Sequence, residues 1–173
     1  MADHPVDLGR RAFLSRVASA IAAFLAAAIG LPLTVASVAA ATRREEAPWI
    51  KIGPATDFQA GSPRLVTFSY TRSDGYLRTS VGRSVWVLKR GADRYTVYSA
   101  RCTHLGCLVG SYRPGSRAFF CPCHDALYSV DDGGVIDGPP PRPLDELAWR
   151  IQEGELMIQQ QDFLIGSPSR IPM

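Results

Sequence analysis

The chain has 173 residues, enough for one ordinary domain and little more. Its hydrophobic content of 46% is that of a folded protein, and its net charge of +3 is small. That charge is scattered along the chain, which excludes the concentrated basic surface that a nucleic-acid binder needs.

In chain order, residues 17–42 come first: 26 residues without a charged side chain, with Arg10, Arg11 and Arg16 just before them. The run exceeds the roughly 20 residues that span a bilayer as a helix. It also exceeds the ~7–15-residue apolar core of a cleavable signal peptide. The expectation is a cytoplasmic tail over 1–16 and a transmembrane anchor over 17–42, in which Pro32 is tolerated. The flanking arginines keep the N-terminus inside and put the rest of the chain outside a prokaryotic cell membrane. The rival reading is a long signal peptide cut near Ala39-Ala40-Ala41. "RRAFLSR" (10–16) resembles a twin-arginine export signal, with paired arginines, then Phe-Leu, then the apolar run. That resemblance implies export of a folded protein with its cofactor already inserted. "ATRREEAP" (41–48) is short, polar and ends in proline, so a linker is expected there, hinge-like over 43–48.

The head, residues 49–173, reads as β. "LVTFSYT" (65–71) alternates apolar and polar positions. "SVWVLKR" (84–90) and "RYTVYSA" (94–100) flank "GAD" and fit a hairpin with Gly91 in the turn. "RAFFC" (117–121) is a short strand, and "LAWRIQEGELMIQQQ" (147–161) a hairpin turning at Glu153-Gly154. No stretch of the head has helical periodicity, so the fold class is mostly β: an antiparallel β-sandwich behind an N-terminal transmembrane helix. Gly and Pro concentrate between 106 and 143, making residues 101–143 a loop-rich lobe inserted between two hairpins of a rigid scaffold.

All four cysteines and two of the three histidines fall in that lobe, in "CTHLGC" (102–107) and "CPCHDALY" (121–128). The third, His4, has no assigned role. Three readings compete. A tetrahedral zinc site needs four ligands, usually as C-x₂₋₄-C with H-x₃₋₅-H; here each run mixes Cys with His, and six candidates leave two cysteines over. A pure disulfide scaffold suits an exported head, but leaves two matched histidines to coincidence. A [2Fe–2S] centre takes two cysteines on one iron and two histidines on the other. Cys102-x-His104 supplies one of each and Cys121-x-x-His124 the other pair, so two loop tips can meet around the cluster.

The two runs, followed by "GPPPRPL" (138–144), resemble a Rieske iron–sulfur protein of the cytochrome bc or bf type. That resemblance implies that Cys102 and Cys121 bind one iron and His104 and His124 the other. It implies a disulfide between Cys107 and Cys123, and a proline loop covering the cluster from a third side. Two neutral imidazoles in place of thiolates leave the cluster less negative, with potentials of ~−150 to +300 mV against about −400 mV for all-Cys ferredoxins. The family function follows as an expectation: an electron-transfer subunit of a membrane quinol–cytochrome c oxidoreductase. It takes one electron with a proton from quinol, hydrogen-bonded at His124, and passes the electron to a c-type cytochrome. A b-type cytochrome is the other expected partner subunit, and the linker lets the head move between sites.

The second loop departs from the common family form C-P-C-H-G-S-x-Y/F. Tyr128 keeps one hydroxyl donor to the cluster, but Ala126 stands in the Ser place, which predicts a lower potential and a low-potential quinol such as menaquinol. Asp125 stands in the Gly place; Asp tolerates left-handed backbone, and its charge either raises the pKa of His124 or points into water. Leu105 and Gly106 read as turn geometry and as an apolar cap near the cluster. The alternative function is the small Rieske subunit of an arsenite oxidase-like molybdenum enzyme. The "CTHLGC" form and the proline loop favour the bc type. Rieske ferredoxins generally lack the second cysteine pair and any anchor.

Overall fold

The computed structural model describes residues 8–42, 47–74 and 77–173. The expected linker falls largely on 43–46, and His4 on 1–7, both outside the described residues. The chain divides into an N-terminal unit, 1–46, and a head, 47–173.

The N-terminal unit is one helix, α1 (Leu8–Thr42), of 35 residues. Its apolar stretch Gly9–Ala39 is long and apolar enough to cross a membrane. Leu and Ala dominate it, and two of its hydroxyls bond to the helix backbone: Thr34 Oγ1 donates to Leu31 O and Ser37 Oγ to Leu33 O, both at 2.8 Å. The helix continues through Pro32 and begins ahead of the arginines, so it is longer than the anchor expected at 17–42.

The head is mostly β, in three antiparallel sheets. Its strands are β1 (Trp49–Pro54), β2 (Arg64–Asp74), β3 (Leu77–Gly91), β4 (Arg94–Ser99), β5 (Ser111–Arg113), β6 (Ala118–Cys121), β7 (Ala126–Ser129), β8 (Val135–Asp137), β9 (Trp149–Gln152) and β10 (Glu155–Gln159). The sheets run β1-β10-β9, β2-β3-β4 and β5-β6-β7-β8. The only helices described in the head are two short 3₁₀ turns.

β3 explains how the lobe is held. Its run Val85-Trp86-Val87-Leu88 is buried at every position. Side chains alternate across a strand, so this run serves two cores. Val85 and Val87 join Tyr95, Val97, Leu156 and Ile158 in the core of the scaffold. Trp86 and Leu88 join Tyr98, Phe119, Tyr128 and Val130 in the core of the lobe. Trp86 stacks on Phe119 with ring centroids 4.6 Å apart and donates its indole N–H to Val109 O at 2.7 Å. Arg90 adds a polar tie, donating to Val130 O and Asp131 O at 2.7 and 2.8 Å.

The loop-rich lobe therefore has a sheet of its own, β5 to β8. Its strands are three or four residues long, too short for alternation to register in the sequence. Gly91 ends β3 at a register shift while Ala92 and Asp93 make the turn, a shift of one position from the expected hairpin. The β9–β10 hairpin turns at Glu153-Gly154, both with positive φ, which suits a two-residue turn.

Candidate metal centre

Two loops form the tip of the lobe. The first, residues 102–107, is a closed turn: Cys102 N–H donates to Cys107 O and Gly106 N–H to Cys102 O, each at 2.8 Å. Closure turns Thr103 inward, fully buried, and leaves Leu105 exposed at the apex. The second loop is the four-residue turn between Cys121 and Ala126, which pair across β6 and β7. Asp125 in that turn has φ +55° and is exposed, so it takes the left-handed conformation that the turn demands while its side chain faces water.

A disulfide joins Cys107 to Cys123 and clamps the two loops. Cys102 and Cys121 are free and buried, and Cys102 is near enough to Cys121 to help push its thiol up. The sulfurs of Cys107, Cys121 and Cys123 lie within 4.8 Å of one another, but the disulfide occupies two of them and leaves only Cys121 as a metal donor in that trio. The rings of His104 and His124 meet edge to face, centroids 4.7 Å apart. His104 is half-buried and His124 exposed.

Two observations test whether these residues suit a metal cluster. His104 Nδ1 is buried with no hydrogen-bond partner, an arrangement that costs ~1–3 kcal/mol unless something satisfies the atom. Burial, with Cys102 close by, pushes the Cys121 thiol up, so a thiolate there calls for a cation. Two thiols and two imidazoles from separate loops match the donor set of a Cys₂His₂ [2Fe–2S] centre.

Tyr128 lies against the Cys102 thiol. Its hydroxyl is 3.2 Å from Cys102 Sγ and accepts the Thr103 N–H at 3.1 Å. Burial first, then the contact with Cys102, pushes this hydroxyl far above its ordinary value, so it keeps its proton. Ala126 is buried beside it and offers a methyl group, with no hydroxyl to donate. The proline segment 138–144 lies against β7. Gly138 has φ +98°, and a Cβ there would come within 2.8 Å of Ala126 Cα, so only glycine permits this approach.

The sequence reading passed over Thr103 and Arg142. Thr103 Oγ1 donates to Arg142 O at 2.7 Å, linking the first loop to the proline segment. Arg142 and Asp145 form a buried ion pair at 2.6 Å. Burial pushes the Asp145 carboxyl above its ordinary value even so, with Arg142 and Arg170 opposing the rise. An arginine among four prolines, with an aspartate three positions on, was the signal available.

Residues 48–148 match the Rieske [2Fe-2S] domain family. The chain is 30% identical over 157 residues to the menaquinol:cytochrome c reductase iron-sulfur subunit of Bacillus subtilis, covering 88% of this chain and 92% of that one. It is 31% identical over 153 residues to the cytochrome b6-f complex iron-sulfur subunit of Chlorobaculum tepidum, covering 88% of this chain and 76% of that one. A solved plasma-membrane Rieske protein of Synechocystis PCC 6803 is 21% identical with a TM-score of 0.44, covering 64% of this chain and 99% of that one. More than half of the chain thus carries one domain, and the chain belongs to the Rieske family, whose cofactor is a [2Fe–2S] cluster.

Proposed function

We propose that this chain is the iron–sulfur subunit of a membrane quinol–cytochrome c oxidoreductase, with Cys102 and Cys121 on one iron and His104 and His124 on the other. When bound, the cluster supplies one-electron chemistry at a potential that two neutral imidazoles raise. The rest is the work of this chain's residues. Cys102 and Cys121 are buried in the lobe's core, which limits water around them, and His104 is half-buried. His124 stands at the surface, and its imidazole presents a nitrogen that holds or gives up a proton to a quinol hydroxyl. Tyr128 donates a hydrogen bond to the Cys102 sulfur, which favours the more negative state. The Cys107–Cys123 bond keeps the two ligand loops in register.

The observation that carries the reading is that the two loops supplying two free buried thiols also bring their imidazoles together, ring centroids 4.7 Å apart, one exposed and the other half-buried. The names of the Bacillus and Chlorobaculum relatives support quinol as reductant and cytochromes as partners. The Ala126 methyl supports a low-potential quinol. α1 serves as a single-pass anchor in a prokaryotic membrane, N-terminus inside and head on the outer face, where a disulfide persists.

The test is purification from membranes. A [2Fe–2S] electron paramagnetic resonance signal, two irons per chain, and co-purifying b- and c-type haems are expected. A molybdenum subunit in place of the haems would assign the chain to the other oxidoreductase class, and zinc or no metal would end the reading.

A further inference from the structure

After β10 the chain does not leave the head. Residues 162–173 fold back on themselves: Leu164 N–H donates to Ile171 O at 2.9 Å, and Met173 N–H to Asp162 O at 3.0 Å. Two hydrogen bonds then tie this loop to the metal centre. Gly166 N–H donates to Thr103 O at 2.9 Å, and Arg142 Nη2 donates to Leu164 O at 2.9 Å. Thr103 lies between two candidate ligands, Cys102 and His104, and its carbonyl belongs to the peptide that leads into His104. The Thr103 N–H and hydroxyl both reach the Tyr128 oxygen at 3.1 Å. Its hydroxyl proton is taken up by Arg142 O at 2.7 Å. The single Tyr128 proton is therefore divided between Thr103 Oγ1 and the Cys102 sulfur, and the sulfur, charged once metal is bound, is the stronger acceptor.

We propose that Leu164–Gly166 is a strap that positions Thr103, and through Thr103 the Tyr128 hydroxyl, against the Cys102 sulfur. Gly166 is its working contact and Arg142 its clamp. The strap acts on the cluster from a part of the chain remote from both ligand loops and outside the matched domain, which ends at residue 148. It rests on the assignment of Cys102 as a cluster ligand. A buried donor and acceptor held at fixed distance act as a unit, so releasing the carbonyl of Thr103 slackens the contacts its N–H and hydroxyl make with Tyr128. A weaker hydrogen bond to the sulfur disfavours the reduced cluster and lowers its potential.

Gly166 has φ +76°, and a Cβ there would meet His104 O at an ordinary 3.5 Å. Asparagine tolerates that conformation and keeps the N–H; proline has neither the angle nor the donor. The experiment is a redox titration of the membrane-bound full chain, followed by the [2Fe–2S] resonance, with iron counted per chain. Gly166→Pro should lower the midpoint by no more than Tyr128→Phe does. Gly166→Asn should match the unaltered protein. Gly166→Pro placed in Tyr128→Phe should add nothing to the single Tyr128→Phe shift. An unchanged midpoint in Gly166→Pro, or equal shifts with and without Tyr128, overturns the strap. Should Gly166→Pro fail to hold iron, Arg142→Gln with Asp145→Asn decides. That pair removes the clamp while leaving no lone buried charge; a lowered midpoint supports the strap and a normal one overturns it. Absence of the resonance in the unaltered chain would instead refute the ligand assignment.

Discussion

At the scale of single residues, the candidate ligands were legible because each loop carries its donors within a few positions. Their partners were not, because Thr103, Arg142 and Gly138 acquire meaning only when three loops meet. Ala126 shows how one atom tunes such a site. Its methyl is buried under Gly138, next to the tyrosine that keeps its proton. A hydroxyl here that reaches a cluster sulfur adds a hydrogen bond of about 0.5–1.5 kcal/mol, stronger in the reduced state. For one electron that is roughly 20–60 mV. The midpoint moves by the part of that energy gained on reduction, so Ala126→Ser should raise it by up to that amount and Tyr128→Phe lower it by a similar one, both read by redox titration. A serine with no partner would betray itself differently, as a stability loss of ~1–3 kcal/mol with the potential unmoved.

At the scale of elements, alternation revealed the strands that have one wet face and one dry face, such as 65–71 and 94–100. It did not reveal the early part of β3, residues 77–84, whose side chains are mostly exposed and polar on both faces. Nor did it reveal β7 and β8, which are held by their neighbours in the lobe sheet rather than by a pattern of their own. The fully apolar run of β3 reads in sequence as one strand of a hairpin, and its second role as a wall shared by two cores has no local signature. Because the lobe's loops lie beyond that wall, their mutual order depends on the Cys107–Cys123 bond, which closes a separation of 16 residues. Chain entropy assigns such a closure about 3 kcal/mol. Replacing both cysteines with serine should lower unfolding stability by about that much and speed the loss of iron to a chelator. A stability change well under 1 kcal/mol would mean that the lobe sheet alone sets the loops.

At the scale of the head, one carboxylate links three distant parts of the chain. Asp162, after β10, accepts two hydrogen bonds from Arg83 of β3, at 3.0 and 2.7 Å, and lies 3.5 Å from Arg101, which precedes the first ligand loop. No local pattern announces this triad, since its members are up to 79 residues apart. Burial alone would raise the Asp162 carboxyl. The hydrogen bonds and charge of Arg83, with the charges of Arg101 and Arg72, outweigh burial and hold it below its ordinary value. The carboxylate side chain is only 11% exposed, so water screens the pair weakly. A carboxyl depressed in the folded state stabilises the fold above its unfolded pKa, near 4, and that contribution disappears as pH falls through the folded value. Asp162→Asn should therefore cost about 2–3 kcal/mol near neutrality, the scale of a charged hydrogen bond lost beside a half-buried guanidinium. In urea unfolding of the detergent-solubilised chain, the gap between the two proteins should hold from pH 7 to about 5, then narrow as the wild-type carboxylate takes up its proton. A gap that stays constant down to pH 2 would show that Asp162 acts by shape and neutral hydrogen bonding alone, and the electrostatic account of how the head is tied together would fall.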